Sequence, residues 1–315
     1  MRYRSRHAVG HIVAAAEAAG LPCPRPDALT ATGEVVELEA IYALWEALLA
    51  AGARCTLAAD AAIRAQASSR NLVRMIAGTA PTVGEAAACV AQCWPLVTNG
   101  SVVTVRRAPD FGLTFGPVAA RAGARLDLLY SLASFARYLT SWCDGPIAGG
   151  RLRLRDPLDA RDIAALEELL DVAVEARAPE DGLVYPAAIA RRALRHADRG
   201  LHAHLLEQAL ARLATVGPPT WTQRVWAALA DAADEDDIAR ALEVSPRTLR
   251  RALADEATSF RALRERWREE RAHAGLATAD DEALAARLGY ADARAFRRAF
   301  QRWTGVTPEQ RRRGR

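Results

Sequence analysis

Two stretches near the C-terminal end carry the same arrangement of apolar and polar positions. In the first, Ile238 and Leu242, then Leu249 and Leu253, are spaced so that each pair shares one helix face. In the second, Leu284 and Leu288, then Phe296 and Phe300, repeat that spacing. Each stretch reads as a short helix, a tight turn and a second helix. Ser245-Pro246 supplies an N-cap followed by a proline at the first helical position, and Asp292 stands at the equivalent cap. With a turn of about 100° per residue, an inward Leu249 puts Arg247 and Arg251 on the opposite face, with Arg250 on a flank. Inward Phe296 and Phe300 likewise turn Arg294 and Arg298 outward, with Arg297 on the flank.

The segment between the copies is a third helix. Thr258-Ser259-Phe260 opens it, and Phe260, Leu263, Trp267 and Ala274 are its apolar positions. Arg261/Glu265 and Arg266/Glu270 are spaced as ion pairs along its wet face. About 16–18 residues at about 1.5 Å each make a rod of roughly 25 Å.

Upstream the pattern mixes periods. Helices are expected over 7–19, 37–51, 58–76, 126–142, 162–170, 186–196 and 201–214. Another runs from the capping-box spacing Thr82/Glu85 through Cys93. Period-two alternation predicts a hairpin of 101–107 with 111–115, and strands over 151–155, 172–175 and 183–185. Gly217-Pro218-Pro219 stops regular structure and marks a boundary. The expectation is an α+β domain at 1–216, followed at 220–315 by an all-α domain of two helix-turn-helix units joined by a linker helix.

Charge sharpens the picture. The first helix of each copy begins with acid, Asp236-Asp237 and Asp280-Asp281-Glu282, which suits the positive end of a helix dipole. The second helices carry arginines, whose planar fork matches phosphate or the O6/N7 edge of guanine. Together these point to DNA reading, with each second helix in a major groove. The chain has a formal net charge of +4 and no lysine at all. From Trp221 onward, 19 arginines face 16 carboxylates. So small an excess excludes coating of nucleic acid by bulk charge, and recognition must rest on local placement. The basic tail Arg311-Arg312-Arg313 with Arg315 either touches phosphate or frays.

Other chemistry is thinly supported. Five cysteines without framework spacing argue for a reducing compartment and a cytoplasmic protein. Cys89/Cys93 and His7/His11 have helical i,i+4 spacing, yet neither pair has the partner pair a structural zinc site requires. No cofactor or metal is expected. No nucleophile elbow, phosphate loop or zinc-protease motif occurs, so an enzyme is not expected. No apolar run is long enough to span a membrane. Trp45, Trp94, Tyr130, Phe135, Tyr138 and Trp142 are candidates to line a ligand pocket, although aromatics at helical spacing ordinarily build core.

The sequence resembles the AraC/XylS family of bacterial transcription regulators. The resemblance rests on Val-Ser-Pro-Arg-Thr-Leu-Arg-Arg at 244–251, Thr-Ser-Phe at 258–260, Leu-Gly-Tyr at 288–290, Ala-Phe-Arg-Arg-Ala-Phe at 295–300 and Trp-Thr-Gly-Val-Thr-Pro at 303–308. Weaker matches, Thr-Ala-Pro-Thr-Val-Gly-Glu-Ala at 79–86 and Asp-Gly-Leu-Val-Tyr-Pro-Ala-Ala at 181–188, resemble the arabinose-binding-like effector domain of one branch. The resemblance implies DNA contacts from Ser245, Arg247, Thr248, Arg250 and Arg251, and from Ala293, Arg294, Arg297 and Arg298. It implies double-stranded promoter DNA, a small-molecule effector, a second copy of the chain and, for an activator, RNA polymerase as partners. Two positions depart from the family pattern. Glu243 and Ala257 stand where glycine is usual, and both places call for positive φ, at about 1 kcal/mol for a side chain. A methyl-acceptor repair enzyme sharing the same DNA-binding domain, and a protein-binding adaptor, are the competing readings. The first needs a second close cysteine pair, and only Cys143 follows Cys93.

Overall fold

The computed structural model describes residues 2–24, 34–68, 71–107, 109–116, 118–119, 121–144, 147–214, 220–229, 234–256, 258–276 and 279–313. The chain divides into two compact units, Met1–Pro218 and Pro219–Arg315.

The first unit is α+β. Its elements begin with β1 (Tyr3–Ser5), α1 (His7–Ala18), β2 (Val35–Glu37) and α2 (Leu38–Ala50). α3 (Thr56–Ser68), α4 (Leu72–Thr79) and α5 (Val83–Cys93) follow, then the hairpin strands β3 (Val102–Arg106) and β4 (Asp110–Gly116). α6 (Ala122–Trp142), β5 (Arg151–Arg153), α7 (Ala160–Leu170), β6 (Ala173–Glu175), β7 (Asp181–Pro186) and α8 (Arg199–Leu213) complete it. The sheet order is β3-β4-β7-β5-β6, antiparallel except for the β5–β6 pair. The hairpin register sets Val103 opposite Phe115 and Val105 opposite Leu113. Phe111, Leu113 and Phe115 are therefore buried together on one face of β4.

α6 is the axis of this unit. Leu126, Leu128, Leu129, Leu132, Ala133, Phe135 and Leu139 are all buried, covering more than one side of the helix. α3 reaches it through Ala58, Ala61, Ala62 and Ala65, each 0% exposed, and small side chains let two helix axes approach closely. Gly123 sits against the backbone carbonyl of Tyr42, where a side chain would collide with main chain. Inside the unit, charges are paired: Arg4 with Asp127 at 2.8 Å, Arg125 with Asp181 at 2.5 Å, and Arg153 with Glu180.

Three local expectations are corrected. The single helix expected over 58–76 is two, α3 and α4, because Asn71 is extended and its side chain accepts from the Val73 and Arg74 N–H groups as an N-cap. The helix expected over 186–196 shrinks to a 3-10 turn at Ala187–Arg191. The next residues bond elsewhere: Leu194 N–H donates to the Pro81 carbonyl, and Arg195 N–H to that of Trp142. Finally, Tyr3–Ser5, where no element was expected, pairs with Val35–Glu37 as a two-stranded sheet.

The second unit is all helical: α9 (Trp221–Ala228), α10 (Glu235–Ala241), α11 (Pro246–Asp255), α12 (Phe260–Gly275), α13 (Asp281–Arg287), α14 (Ala293–Thr304) and α15 (Pro308–Arg313). α12 is the linker helix, capped by Ser259, with Phe260, Leu263 and Trp267 buried in one core with Leu249, Leu253, Phe296 and Phe300. The expected Arg261/Glu265 pair is replaced, since Glu265 accepts from Arg302 of α14 at 3.2 Å. The side chains of Glu270 and Ala274 and all of Ala257 lie outside the described residues. Among the described residues no helix is long and apolar enough to cross a membrane.

Candidate nucleic-acid interface and effector cavity

Both helix-turn-helix units are built from the same local bonds. In the first, Asp234 and Asp237 form a reciprocal capping box at the start of α10. The helix ends in a Schellman turn: Val244 N–H donates to the Ala239 carbonyl at 2.9 Å and Glu243 N–H to that of Arg240 at 3.0 Å. That turn needs one residue in the left-handed region, and Glu243 occupies it at φ +58°. Ser245 then caps α11 through the Thr248 N–H at 3.1 Å, and its hydroxyl meets that of Thr248 at 2.8 Å. In the second unit Asp280 caps α13. Tyr290 N–H donates to Ala285 O, Gly289 N–H donates to Ala286 O, and Gly289 lies at φ +68°. Asp292 caps α14 through the Ala295 N–H at 2.6 Å.

These turns fix which side of α11 and α14 faces out. Leu249, Leu253, Phe296 and Phe300 are fully buried, while Arg247, Arg250, Arg251, Arg294, Arg297 and Arg298 are exposed. The six arginines separate into two kinds. Arg250 grips Glu235, at the first turn of α10, with Nε and an Nη at 2.9 and 3.0 Å. The bond favours the charged guanidinium and pushes its pKa further up. Arg297 makes the equivalent contact, with Nε 3.3 Å from Asp281 at the first turn of α13, and also bonds the Ala293 carbonyl. Sequence reading placed these two on the flank; their carboxylate partners are the further finding. Arg247, Arg251, Arg294 and Arg298 carry no hydrogen bond or ion pair to the described residues. Ser245 is exposed and Thr248 half-buried, both tied up in the cap. Ala293 needs correction as a contact residue. It lies one helical turn before Phe296 on the same inward side and is only 7% exposed, so its methyl is turned away from the outer face.

The basic tail is not free either. Arg312 folds back to bond the Leu276 and Ala279 carbonyls and Asp281. The expected Thr307/Gln310 capping box holds the start of α15. Cys89 and Cys93 are buried, 3% and 0% exposed, and the Cys89 thiol is pushed well up by its hydrogen bond to Cys93 and by burial. A thiol held like Cys89 is a poor nucleophile.

In the first unit β1, α1, α4, the end of α5 and α6 line a pocket that opens to solvent on one side. Trp94, Tyr130, Phe135, Tyr138 and Trp142 line it, five of the six aromatics singled out in the sequence. Trp45, 0% exposed, belongs instead to the core. Arg4 and His11 enter from opposite ends of the β1–α1 segment. Arg4 also lies 5.2 Å above the Tyr130 ring, and His11 Nδ1 meets the Tyr130 hydroxyl at 2.8 Å. Burial, then the neighbouring His7, Arg4 and Arg74, bring the His11 pKa down to about 4. No sequence signal marked Arg4 or Ser134 as cavity residues, because the cavity joins segments far apart in the chain.

Comparison with known proteins bears on both units. Residues 11–194 match the family described as the arabinose-binding domain of AraC transcription regulator, N-terminal. Residues 238–314 match the family described as helix-turn-helix domain. The uncharacterized HTH-type transcriptional regulator Rv1395 of Mycobacterium tuberculosis is 43% identical over 79 residues, which cover 24% of this chain and 22% of that protein. The HTH-type transcriptional regulator VqsM of Pseudomonas aeruginosa is 41% identical over 69 residues, 21% of each chain. The chain thus aligns with less than a quarter of these relatives' length. The crystal structure of the transcriptional regulator CdpR from Pseudomonas aeruginosa aligns over 98% of both chains at 23% identity, with a TM-score of 0.41.

Proposed function

The chain belongs to the AraC family of transcription regulators, and from that premise we propose that it binds one promoter site through α11 and α14, set into successive major grooves of the duplex. One observation carries the reading: two units with the same turn geometry each present, on the second helix, two exposed arginines with no ion pair among the described residues. Arg247 and Arg251 act from α11, and Arg294 and Arg298 from α14. An arginine without a carboxylate partner meets phosphate or guanine at no cost of breaking an existing ion pair. Arg250 and Arg297 hold each second helix against the first turn of its neighbour, and reach DNA only by exchanging a carboxylate for a phosphate. Ser245 and Thr248 keep the first turn of α11 in place, beside the backbone. α12 has 16 residues, about 24 Å at 1.5 Å per residue, of the order needed to hold two readers about 34 Å apart on one DNA face.

The first unit is assigned to a small-molecule effector, which acts by favouring one arrangement of the protein over another. The test of the DNA reading is footprinting and gel shift on the DNA flanking the chain's own gene. Protection over about two helical turns is expected. Arg251→Ala and Arg294→Ala should each weaken specific binding by about 5- to 150-fold if they read bases, or lower the salt slope by about one if they hold phosphate. A salt-insensitive complex with a protein and no DNA shift would replace this reading with that of an adaptor.

A further inference from the structure

We propose that the cavity of the first unit takes an amphipathic organic anion, a carboxylate on an apolar body, and not a sugar. The inference rests on the effector reading above and concerns only the chemistry of the ligand.

Two buried polar groups that line the cavity each leave a hydrogen bond unmade. Arg4 is 2% exposed; one Nη pairs with Asp127 at 2.8 Å and the other donates to Ser131 Oγ at 3.0 Å, which leaves Nε–H unpaired. The Ser134 hydroxyl, buried one helical turn from Tyr130, has the Tyr130 hydroxyl near it but makes no well-formed hydrogen bond. Leaving a buried donor without a hydrogen bond is costly, so both groups favour an occupant that supplies acceptor oxygens.

The charge of the lining is one-sided. Arg4 and Arg74 supply it, and no carboxylate is among the lining residues described. Asp127 answers Arg4 from behind the wall. Arg74 crosses the Tyr138 ring at 4.8 Å, at the half-exposed side. The lowered His11 pKa agrees: every charged neighbour acting on it is cationic. An anion entering here meets an attractive field from several directions.

Val73, Val90, Trp94, Phe115, Phe135 and Trp142 form an apolar wall without acceptors; Ser5, Tyr130, Ser131 and Tyr138 add hydroxyls, of which those of Tyr130 and Ser131 already bond His11 and Arg4. A sugar presents several hydroxyl donors, each needing an acceptor on burial. The amide of the cavity, Asn71, already uses its oxygen to cap α4, accepting from the Val73 N–H at 2.8 Å. An aliphatic or aromatic body fits this wall, and a carboxylate fits the Arg4–Ser134 end.

The experiment uses the full chain and the fluorescence of its tryptophans, two of which, Trp94 and Trp142, line the cavity. The probes are decanoate and 3-phenylpropanoate, their neutral counterparts decanol and 3-phenylpropanol, and L-arabinose. At least one carboxylate should bind about tenfold or more tightly than its alcohol, the scale of a charge-assisted hydrogen bond. Which of the two binds distinguishes an aliphatic from an aromatic body. Ser134→Ala and Arg74→Gln should each weaken the carboxylate and leave the alcohol unchanged. They are preferred to Arg4→Ala, which strands Asp127 in the core. Equal binding of acid and alcohol, or binding of arabinose in preference to both acids, overturns the anion proposal and leaves the effector reading standing. Failure of every probe to bind the wild-type chain overturns both.

Discussion

The two helix-turn-helix units make the same turn from different residues, and the difference is one of margin. The second has Gly289 at the left-handed position, two phenylalanines in its core and Asp281 joined by Arg312 as well as Arg297. Arg268 also donates to the Gly289 carbonyl and lies 4.6 Å above the Tyr290 ring. The first has Glu243 at the left-handed position, two leucines in the core and a single arginine on Glu235. Matching hydrogen bonds therefore do not mean matching stability. Geometry is imposed by the Schellman turn and caps in both, while the reserve behind that geometry depends on side-chain volume and backbone strain.

The largest expected effect lies in the cores. Phe296→Ala should cost about 3–5 kcal/mol and Leu249→Ala about 2–5 kcal/mol, measured by urea unfolding of the full chain. A smaller loss for Phe296→Ala would reverse the ranking of the two units. Next come the turns, where the two units should respond with opposite signs. Glu243→Gly relieves a left-handed side chain and should stabilise by about 1 kcal/mol, whereas Gly289→Ala should destabilise by about the same amount. If both changes move the midpoint in one direction, strain at Glu243 is not what separates the units.

The ion pairs should matter less. Glu235→Gln and Asp281→Asn should each cost less than any core substitution, as surface ion pairs do, with Asp281→Asn the larger because it releases Arg297 and Arg312 together. Equal effects in denaturation would make Arg312 a bystander. The smallest effect is a pH dependence peculiar to the first unit. The Arg240 hydrogen bond and then the Asp234 backbone hold the Asp237 carboxyl below its ordinary range. Its contribution is thus fully present above the ordinary aspartate range and is lost as pH falls through the lowered pKa. Acid titration of Asp237→Asn beside the wild-type chain should show a shallower slope for the variant below that range.

Much of this was legible in the residues themselves. Caps at Thr82, Ser245, Ser259 and Asp292, the inward spacing of Leu249/Leu253 and Phe296/Phe300, and the flank position of Arg250 all depend on contacts within a few residues. Such contacts repeat wherever the local sequence repeats, so periodicity and capping rules reach them. The failures have a common origin as well. Ala187–Arg191 stops short because its neighbours bond to Pro81 and Trp142, and Glu265 leaves Arg261 for Arg302. Ala293 drops out of the outer face because the folded unit leaves it only 7% exposed, on the Phe296 side of α14.

Sequence alone determined the helices and turns of the two helix-turn-helix units and the outward or inward sense of the arginines, leucines and phenylalanines on α11 and α14, because each of these is settled within one or two helical turns. Tertiary structure alone decided which of these arginines pair with a carboxylate, and brought Arg4 of β1 onto Asp127, Tyr130 and Ser131 of α6, more than a hundred residues away. A guanidinium chooses among the carboxylates within its reach, and that set is defined only after the chain has folded.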